Sequence, residues 1–239
     1  MIKLSIVVPC YNEEKNIPLV LERFRKAYEE SGVKDFELIL IDNNSKDKSA
    51  EVLKKGLAKK EYSFARKVFQ PTPGYGAAVS KGLQEAKGEF MGWTHADLQT
   101  DPADVFKAFR RLKKQKNPGK VYVKGRRKGR PLLSTFLTFG MTLFETLLLQ
   151  KWLYDINAQP NIFHRTFLEK IKEFPNDFSL DLYFYYTAKK NKYDIIRFTV
   201  LFPKRQHGVS SWDTGLAQKW KFIKRTIAFS LKMKKRLDN

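Results

Sequence analysis

Leu4-Ser5-Ile6-Val7-Val8-Pro9-Cys10-Tyr11-Asn12-Glu13 is the stretch that decides the fold. Residues 4–8 form an apolar run stopped by Pro9, as a strand covered on both faces of a parallel sheet requires. From residue 12 to about 31, Ile17, Val20, Leu21, Phe24, Ala27 and Tyr28 recur at helical spacing, and Gly32 supplies the stop. The unit then repeats. Residues 36–41 read as a second strand, 49–58 as a helix, and 68–69 as a short third strand. Residues 76–86 read as a helix closed by Gly88, and 90–94 as a fourth strand. Asp101-Pro102 opens another helix, with Asp as N-cap and Pro at the first helical position. Residues 121–124 read as one more strand. Strands alternating with helices over short links predict an α/β fold: an open, mostly parallel Rossmann-like sheet with helices on both faces.

Ligands of such sheets sit beyond the carboxyl ends of the strands. Three polar clusters fall there: Pro9 to Glu13, Asp42-Asn43-Asn44-Ser45, and His95-Ala96-Asp97. Acidic residues from three strands are therefore expected to converge on one crevice.

The second half differs. Residues 132–149 are apolar with one charge, Glu145, and their length touches the lower limit for a membrane span. Thr135, Thr138, Thr142, Glu145 and Thr146 share one helical face, which predicts a helix lying on a surface or on a core rather than crossing a bilayer. Residues 214–237 contain eight basic residues and no acidic one, with Leu216, Trp220, Ile223, Ile227 and Leu231 as an apolar stripe. A basic amphipathic helix suits an anionic membrane surface; packing on the sheet is the other reading. The division expected is a catalytic domain over residues 1–212, including an amphipathic acceptor- or membrane-facing helix over 130–154, and a basic helix over 213–239.

A net charge of +21 calls for an anionic partner: nucleic acid, anionic lipid or a phosphate-bearing substrate. Nucleic acid leaves the acidic strand ends unexplained, so the expectation is no nucleic acid. A dinucleotide oxidoreductase is disfavoured because the first strand runs into Pro9-Cys10-Tyr11, not a Gly-rich turn. One cysteine, Cys10, and no secretory pattern at the N-terminus lead to the expectation of a cytoplasmic protein, peripheral on the cytoplasmic face of a membrane. A membrane-anchored partner protein is left open.

Asp97 is the centre of the chemical reading. Breaking a glycosidic bond to a nucleoside diphosphate builds negative charge on the diphosphate, and a divalent metal with oxygen ligands stabilises it. Asp97 offers a carboxylate and Gln99 a carbonyl oxygen, while Asp101 already has the capping role. Arg126, Arg127, Lys128 and Arg130 stand beside the apolar 132–149 stretch. Guanidinium groups suit bidentate phosphate binding, and charge next to an apolar face is what a lipid phosphate needs.

Four motifs occur in register: residues 5–14, then 41–47 (Ile41-Asp42-Asn43-Asn44-Ser45-Lys46-Asp47), then Gly74-Tyr75-Gly76-Ala77-Ala78, then Ala96-Asp97-Leu98-Gln99-Thr100-Asp101-Pro102. Over roughly residues 2–212 the chain resembles family-2 glycosyltransferases of the GT-A fold. It is most similar to polyprenyl-phosphate sugar transferases of the dolichyl-phosphate-mannose synthase type. The resemblance implies nucleoside contacts at Pro9, Tyr11, Glu13, Asp42, Ala96 and Asp97, and metal and diphosphate contacts at Asp97 and Gln99. It implies that the segment Lys124-Gly125-Arg126, with Arg130 and Ser134, grips the acceptor phosphate. Asp181 matches an acidic position, and Arg205, Gly208, Ser210 and Ser211 a late Arg-x-x-Gly-x-Ser element. The catalytic set implied is Asp97, Arg126, Asp181 and Arg205, with Arg205 also on the acceptor phosphate and Mg²⁺ or Mn²⁺ as cofactor.

Two positions depart from the pattern. His95 stands where relatives carry the first Asp of Asp-Ala-Asp, so either Asp97, Gln99 and the diphosphate hold the metal or His95 adds a nitrogen. Asn43-Asn44 replaces Asp-Gly, and Asn tolerates the left-handed backbone that Gly would serve. The reaction expected is a single inverting displacement from a nucleoside-diphosphate sugar onto a polyprenyl phosphate. With a sugar hydroxyl as acceptor instead, Asp181 would serve as base.

Overall fold

The structure is a computed structural model that describes residues 2–130, 132–203, 205 and 216–238, with side chains throughout except at 132–134, 216–219, 221–222 and 236–238. The expectations for Ser134, Gly208, Ser210, Ser211 and the Leu216 side chain lie outside the described residues.

Strands β1 (Leu4–Cys10), β2 (Phe36–Asp42), β3 (Ala65–Phe69), β4 (Phe90–Trp93), β5 (Val121–Lys128), β6 (Asn161–His164) and β7 (Asp194–Leu201) form one sheet in the order β3-β2-β1-β4-β6-β5-β7. All pairings are parallel except those of β6, which runs antiparallel to β4 and β5. Helices α1 (Ile17–Ser31), α2 (Ser49–Leu57) and α4 (Pro102–Lys113) cover one face; α3 (Tyr75–Glu85) and α6 (Ser179–Lys190) cover the other. β1 shows why both faces need cover. Leu4, Ile6 and Val8 pack under Phe24 and Phe106, while Val7 packs under Val79 and Leu83. The doubly covered α/β sheet expected from the apolar runs is the one observed.

Details differ from the sequence reading. α1 begins at Ile17, not near residue 12, because Asn12 takes a left-handed conformation (φ 56°) and Pro18 sits at the helix start. Residues 12–16 are thereby released to line the crevice. β5 extends to Lys128 because β7 pairs along its whole length. β6 wedges between β4 and β5 at very close range: a Cβ on Gly92 would meet Asn161 O at 1.9 Å, and one on Gly125 would meet Gln159 O at 2.0 Å. Glycine at these two positions is a steric requirement of the antiparallel insertion. Asp101 caps α4 as expected, accepting from Ala103 N at 2.9 Å.

Helices α5 (Leu132–Leu149) and α7 (Leu216–Asp238) pack on each other beside α6. Each of them buries polar residues and leaves large apolar ones outside. On α5, Thr142 and Glu145 are buried, whereas Phe136 is 72% and Leu147 72% exposed, joined by Leu137, Phe139 and Leu143. On α7 the buried positions are Thr226, Ser230 and Met233, while Trp220 and Leu231 of the expected stripe face outward. Among the described residues no helix is long and apolar enough to cross a membrane.

Glu145 Oε1 accepts from Ser230 Oγ at 2.7 Å, and Oε2 is buried without a hydrogen-bond partner among the described residues. Burial pushes its carboxyl up to about 7. A carboxyl raised on folding stabilises the fold while neutral, fully so below its ordinary 4.5, and loses that contribution as pH rises towards about 7. Glu145→Gln stays neutral throughout. It is expected to match the parent near pH 4 and exceed it by roughly 3 kcal/mol above pH 7, at about 1.4 kcal/mol per unit. Denaturant unfolding at the two pH values checks this; an equal or lower stability of the variant at high pH contradicts it.

Candidate active site

The parallel register sets the carboxyl ends of β1, β2 and β4 side by side. Cys10 lies opposite Asp42, and Trp93 opposite Val7. Backbone hydrogen bonds continue past the strands, with Asn43 N donating to Cys10 O (2.9 Å) and Thr94 N to Val7 O (3.0 Å). The loop after β2 is closed by Ser45 N on Asp42 Oδ1 at 3.2 Å. Asn44 holds the left-handed turn at φ 57°, as the replacement of Gly by Asn anticipated. Lys46 N donates to Asn12 Oδ1 (2.8 Å) and Asn12 N to Ser45 Oγ (3.3 Å), so the first two loops are tied together. Tyr11 projects outward and Asp42 is buried beside it in the register.

Asp97 is 6% exposed, in a loop strained at Leu98 (φ 60°). Its Oδ1 accepts from Gln99 N at 3.0 Å. Its Oδ2 accepts from Arg205 Nη2 at 2.9 Å, and Arg205 Nη1 also reaches Glu13 Oε1 at 3.4 Å. Three residues expected in the site, from β1, β4 and the segment after β7, are thus in contact. Burial raises the Glu13 carboxyl, and its bonds with Asn16 and Arg205 pull it back. His95 sits against the Tyr75 ring (5.8 Å between centroids), and burial lowers its affinity for a proton against the opposing pull of Asp97 and Asp181.

Asp97 and the Gln99 amide are the hard oxygen groups suited to a divalent cation. The space beside Asp97 Oδ2 already accommodates a positive charge, the Arg205 guanidinium. Among the described residues no three His, Cys, Asp or Glu side chains cluster as a metal-holding group. A cation here would complete its shell with diphosphate oxygens and water.

Asp181 lies in the first turn of α6, 1% exposed. Trp93 Nε1 (3.2 Å), Gln159 Nε2 (3.0 Å) and Asn161 Nδ2 (3.4 Å) all donate to its Oδ1, while Oδ2 is buried with no hydrogen-bond partner among the described residues. Burial raises this carboxyl, opposed first by the charge of Lys124. Tyr75 OH accepts from Trp93 Nε1 and Gln159 Nε2, closing the network. The sequence reading missed Tyr75, Trp93, Gln159 and Asn161 as a unit. The available signal was the polar pair Gln159 and Asn161 flanking Pro160 ahead of an apolar strand.

The basic residues separate into two groups. Lys124, expected in the segment gripping the acceptor phosphate, is instead fully buried: its Nζ donates to Ala158 O (2.8 Å) and Asn161 Oδ1 (2.9 Å), and burial brings it down to about 7. Residue 124 is the last of β5 paired with β6, so its side chain lies under Ala158 and Asn161, away from the rim. Beyond it, Arg126, Arg127, Lys128, Tyr154 and Thr199 line a pocket of about 330 Å³. Arg126 is exposed there and donates to Thr199 Oγ1 at 3.0 Å. Arg127 holds Asp155 through its backbone N and Nε, both at 2.8 Å. Arg130 lies 3.8 Å and Arg197 4.0 Å from the same carboxylate. Arg130 also donates to Thr138 Oγ1 at 2.7 Å, and burial, then Arg127, bring it down to about 10. One carboxylate facing three guanidiniums leaves surplus positive charge, the condition for an anion site. The family resemblance takes in Asp155 as the start of the segment 155–161 without giving it a role, and Arg197 was not singled out.

The family model described as "Glycosyl transferase family 2" matches residues 5–227. The chain belongs to that family. This glycosyltransferase is 35% identical over 103 residues to the undecaprenyl-phosphate 4-deoxy-4-formamido-L-arabinose transferase of Photorhabdus laumondii, covering 43% of this chain and 31% of that protein. It is 32% identical over 102 residues to the protein of the same description from Pseudomonas aeruginosa, covering 43% and 30%. The chain thus matches about a third of the length of these relatives. Glucosyl-3-phosphoglycerate synthase from Mycobacterium tuberculosis, solved with Mn²⁺, UDP and glucosyl-3-phosphoglycerate, shares the fold at TM-score 0.75 and 18% identity, over 97% of this chain and 79% of that one. The same enzyme with Mg²⁺ and UDP gives TM-score 0.71.

Proposed function

We propose that this family-2 glycosyltransferase transfers a sugar from a nucleoside-diphosphate sugar to a polyprenyl phosphate at an anionic membrane surface, with inversion and with Mg²⁺ or Mn²⁺. One observation carries the reading: an acidic crevice (Glu13, Asp42, Asp97) is joined by β7 and Arg205 to a basic pocket (Arg126, Arg127, Lys128), and Arg130, which shares Asp155 with Arg127, bonds Thr138 of α5, a helix with Phe136, Leu137 and Phe139 exposed. Polyprenyl-phosphate relatives and metal–UDP neighbours support it.

In this scheme Tyr11, Glu13 and Asp42 hold the nucleoside beside Pro9 and Ala96, and Asp97 with Gln99 holds the cation. The metal, when bound, supplies charge stabilisation to the departing diphosphate. Arg126 and Arg130 bind and orient the acceptor phosphate. A phosphate monoester has a second pKa near ~6, so its oxygen attacks without a strong base. The chain's task is then orientation and electrostatic stabilisation. Phe136, Leu137, Phe139 and Leu143 give the lipid tail and the bilayer an apolar surface, and the net charge of +21 suits anionic headgroups. We place the catalytic unit within residues 1–212 and the surface-binding helix beyond it.

The test is nucleotide release from a donor panel with Mg²⁺ or Mn²⁺ and polyprenyl phosphate in anionic vesicles. Release dependent on all three components is expected; none with any donor contradicts the reading. The unpartnered, buried Oδ2 of Asp181 favours a second reading, with a glycan hydroxyl as acceptor and Asp181 as base. Asp181→Asn keeps the shape and the three donors on Oδ1. It is expected to lower turnover less than about tenfold with the lipid phosphate, against about 10²–10⁴-fold for loss of a general base. A loss in the latter range assigns the base role to Asp181.

A further inference from the structure

We propose that Arg205 is a tethered cation that closes the donor site at rest and is displaced when metal and diphosphate arrive together. The proposal rests on the reading of Glu13 and Asp97 as donor-site residues. The guanidinium donates to Asp97 Oδ2 at 2.9 Å and lies 3.4 Å from Glu13 Oε1. It therefore fills the gap between the ends of β1 and β4 assigned to cation and nucleoside. The same segment reaches one residue further, since Pro203 O accepts from Gln99 Nε2 at 2.9 Å. Residues 203 and 205 thus engage Glu13, Asp97 and Gln99 at once. The side chains of Arg205, Glu13 and Asp97 are 22%, 11% and 9% exposed, so this is not a solvated surface pair.

Three features make the contact exchangeable. Among the described residues Arg205 Nε is buried without a hydrogen-bond partner, so the resting position leaves one donor unsatisfied there. Asp97 Oδ1 is already committed to Gln99 N, so only Oδ2 has to change partner. Arg205 also stands six residues past Thr199 of the basic pocket, a reach of at most roughly 20 Å, so the freed guanidinium stays near both phosphates.

Charge drives the exchange. A divalent cation brings two positive charges to Asp97 where Arg205 brings one, and the diphosphate brings oxygens that a guanidinium binds in bidentate fashion. Metal alone removes a partner from Arg205 without replacing it. Metal with nucleotide does both, so the two bind cooperatively. Arg205 becomes available to the acceptor phosphate only after the donor is in place, which orders the addition of substrates.

The experiment is Mn²⁺ binding to the full chain, followed by the electron paramagnetic resonance signal of free Mn²⁺, with and without UDP or GDP. A resting state that self-occupies the site lowers apparent affinity by its open fraction. With that fraction near ~10%, Arg205→Ala is expected to bind Mn²⁺ alone about tenfold more tightly than the parent and to lose most of the tightening by nucleotide. Arg205→Lys keeps the charge but cannot bridge both carboxylates, and is expected to fall between the two. Lys46→Ala removes an exposed cation from the neighbouring loop and is expected to change nothing. Mn²⁺ binding by Arg205→Ala and Arg205→Lys no tighter than the parent's, with nucleotide still tightening it, overturns the latch and leaves the donor site standing. Equal gains in Lys46→Ala overturn it as a general charge effect. Mn²⁺ binding by no variant, even with nucleotide, defeats the donor-site reading and the latch with it.

Discussion

Asp97→Asn is expected to lower kcat/KM by about 10³-fold or more, some 4 kcal/mol of transition-state stabilisation. The substitution is isosteric. The amide oxygen can still accept from Gln99 N, so the strained loop through Leu98 keeps its anchor. What disappears is the negative charge, and with it both partners that compete for Oδ2: the Arg205 guanidinium and the cation assigned to the site. Steady-state kinetics with a saturating donor checks the size. Unfolding measured alongside should show a change of no more than about 1 kcal/mol, since Arg205 keeps Glu13 as a partner and residue 97 keeps the bond from Gln99 N. A variant with near-parental turnover would remove Asp97 from the chemistry.

Arg126→Ala is the second large effect, and it should fall on the other substrate. Arg126 is exposed at the rim of the basic pocket, where it donates to Thr199 Oγ1. Arg127 and Arg130, by contrast, are drawn to Asp155. A charge-assisted hydrogen bond to a phosphate contributes about 1.5–3 kcal/mol. The acceptor KM should therefore rise roughly ten- to hundredfold while donor binding, measured by calorimetry, stays within twofold. A loss shared equally between donor and acceptor would place Arg126 at the diphosphate instead.

The parts of the molecule that were legible in the sequence are those decided by local patterning. The apolar runs at Leu4–Cys10 and Phe36–Asp42 identify strands buried on both faces, and the polar residues that end them mark the crevice. Asp101 announces the cap of α4, and Asn44 the left-handed turn, because each obeys a rule of its own few residues. What was not legible depends on partners far along the chain. β6 has four residues and is defined by the room that Gly92 and Gly125 leave for it. α6 is buried nearly all round, so it lacks the single apolar stripe that marks an amphipathic helix. Nothing local distinguishes Lys124 from Arg126, which share a face of β5; Lys124 is the last residue paired with β6 and is covered by Ala158 and Asn161, whereas Arg126 lies past the end of that pairing. The inward polar faces of α5 and α7 follow from a contact between Glu145 and Ser230, 85 residues apart.

The division of labour between Asp97 and the basic pocket leads to one decisive measurement. Purified protein, a radiolabelled nucleoside-diphosphate sugar, Mn²⁺ and polyprenyl phosphate in anionic vesicles are combined, and the lipid fraction is analysed by mass spectrometry and by the anomeric coupling of the transferred sugar. The account predicts one sugar on the lipid phosphate for each nucleoside diphosphate released, in the anomeric configuration opposite to that of the donor. Nucleotide release without sugar on the lipid, or a product with the donor's configuration retained, would contradict it.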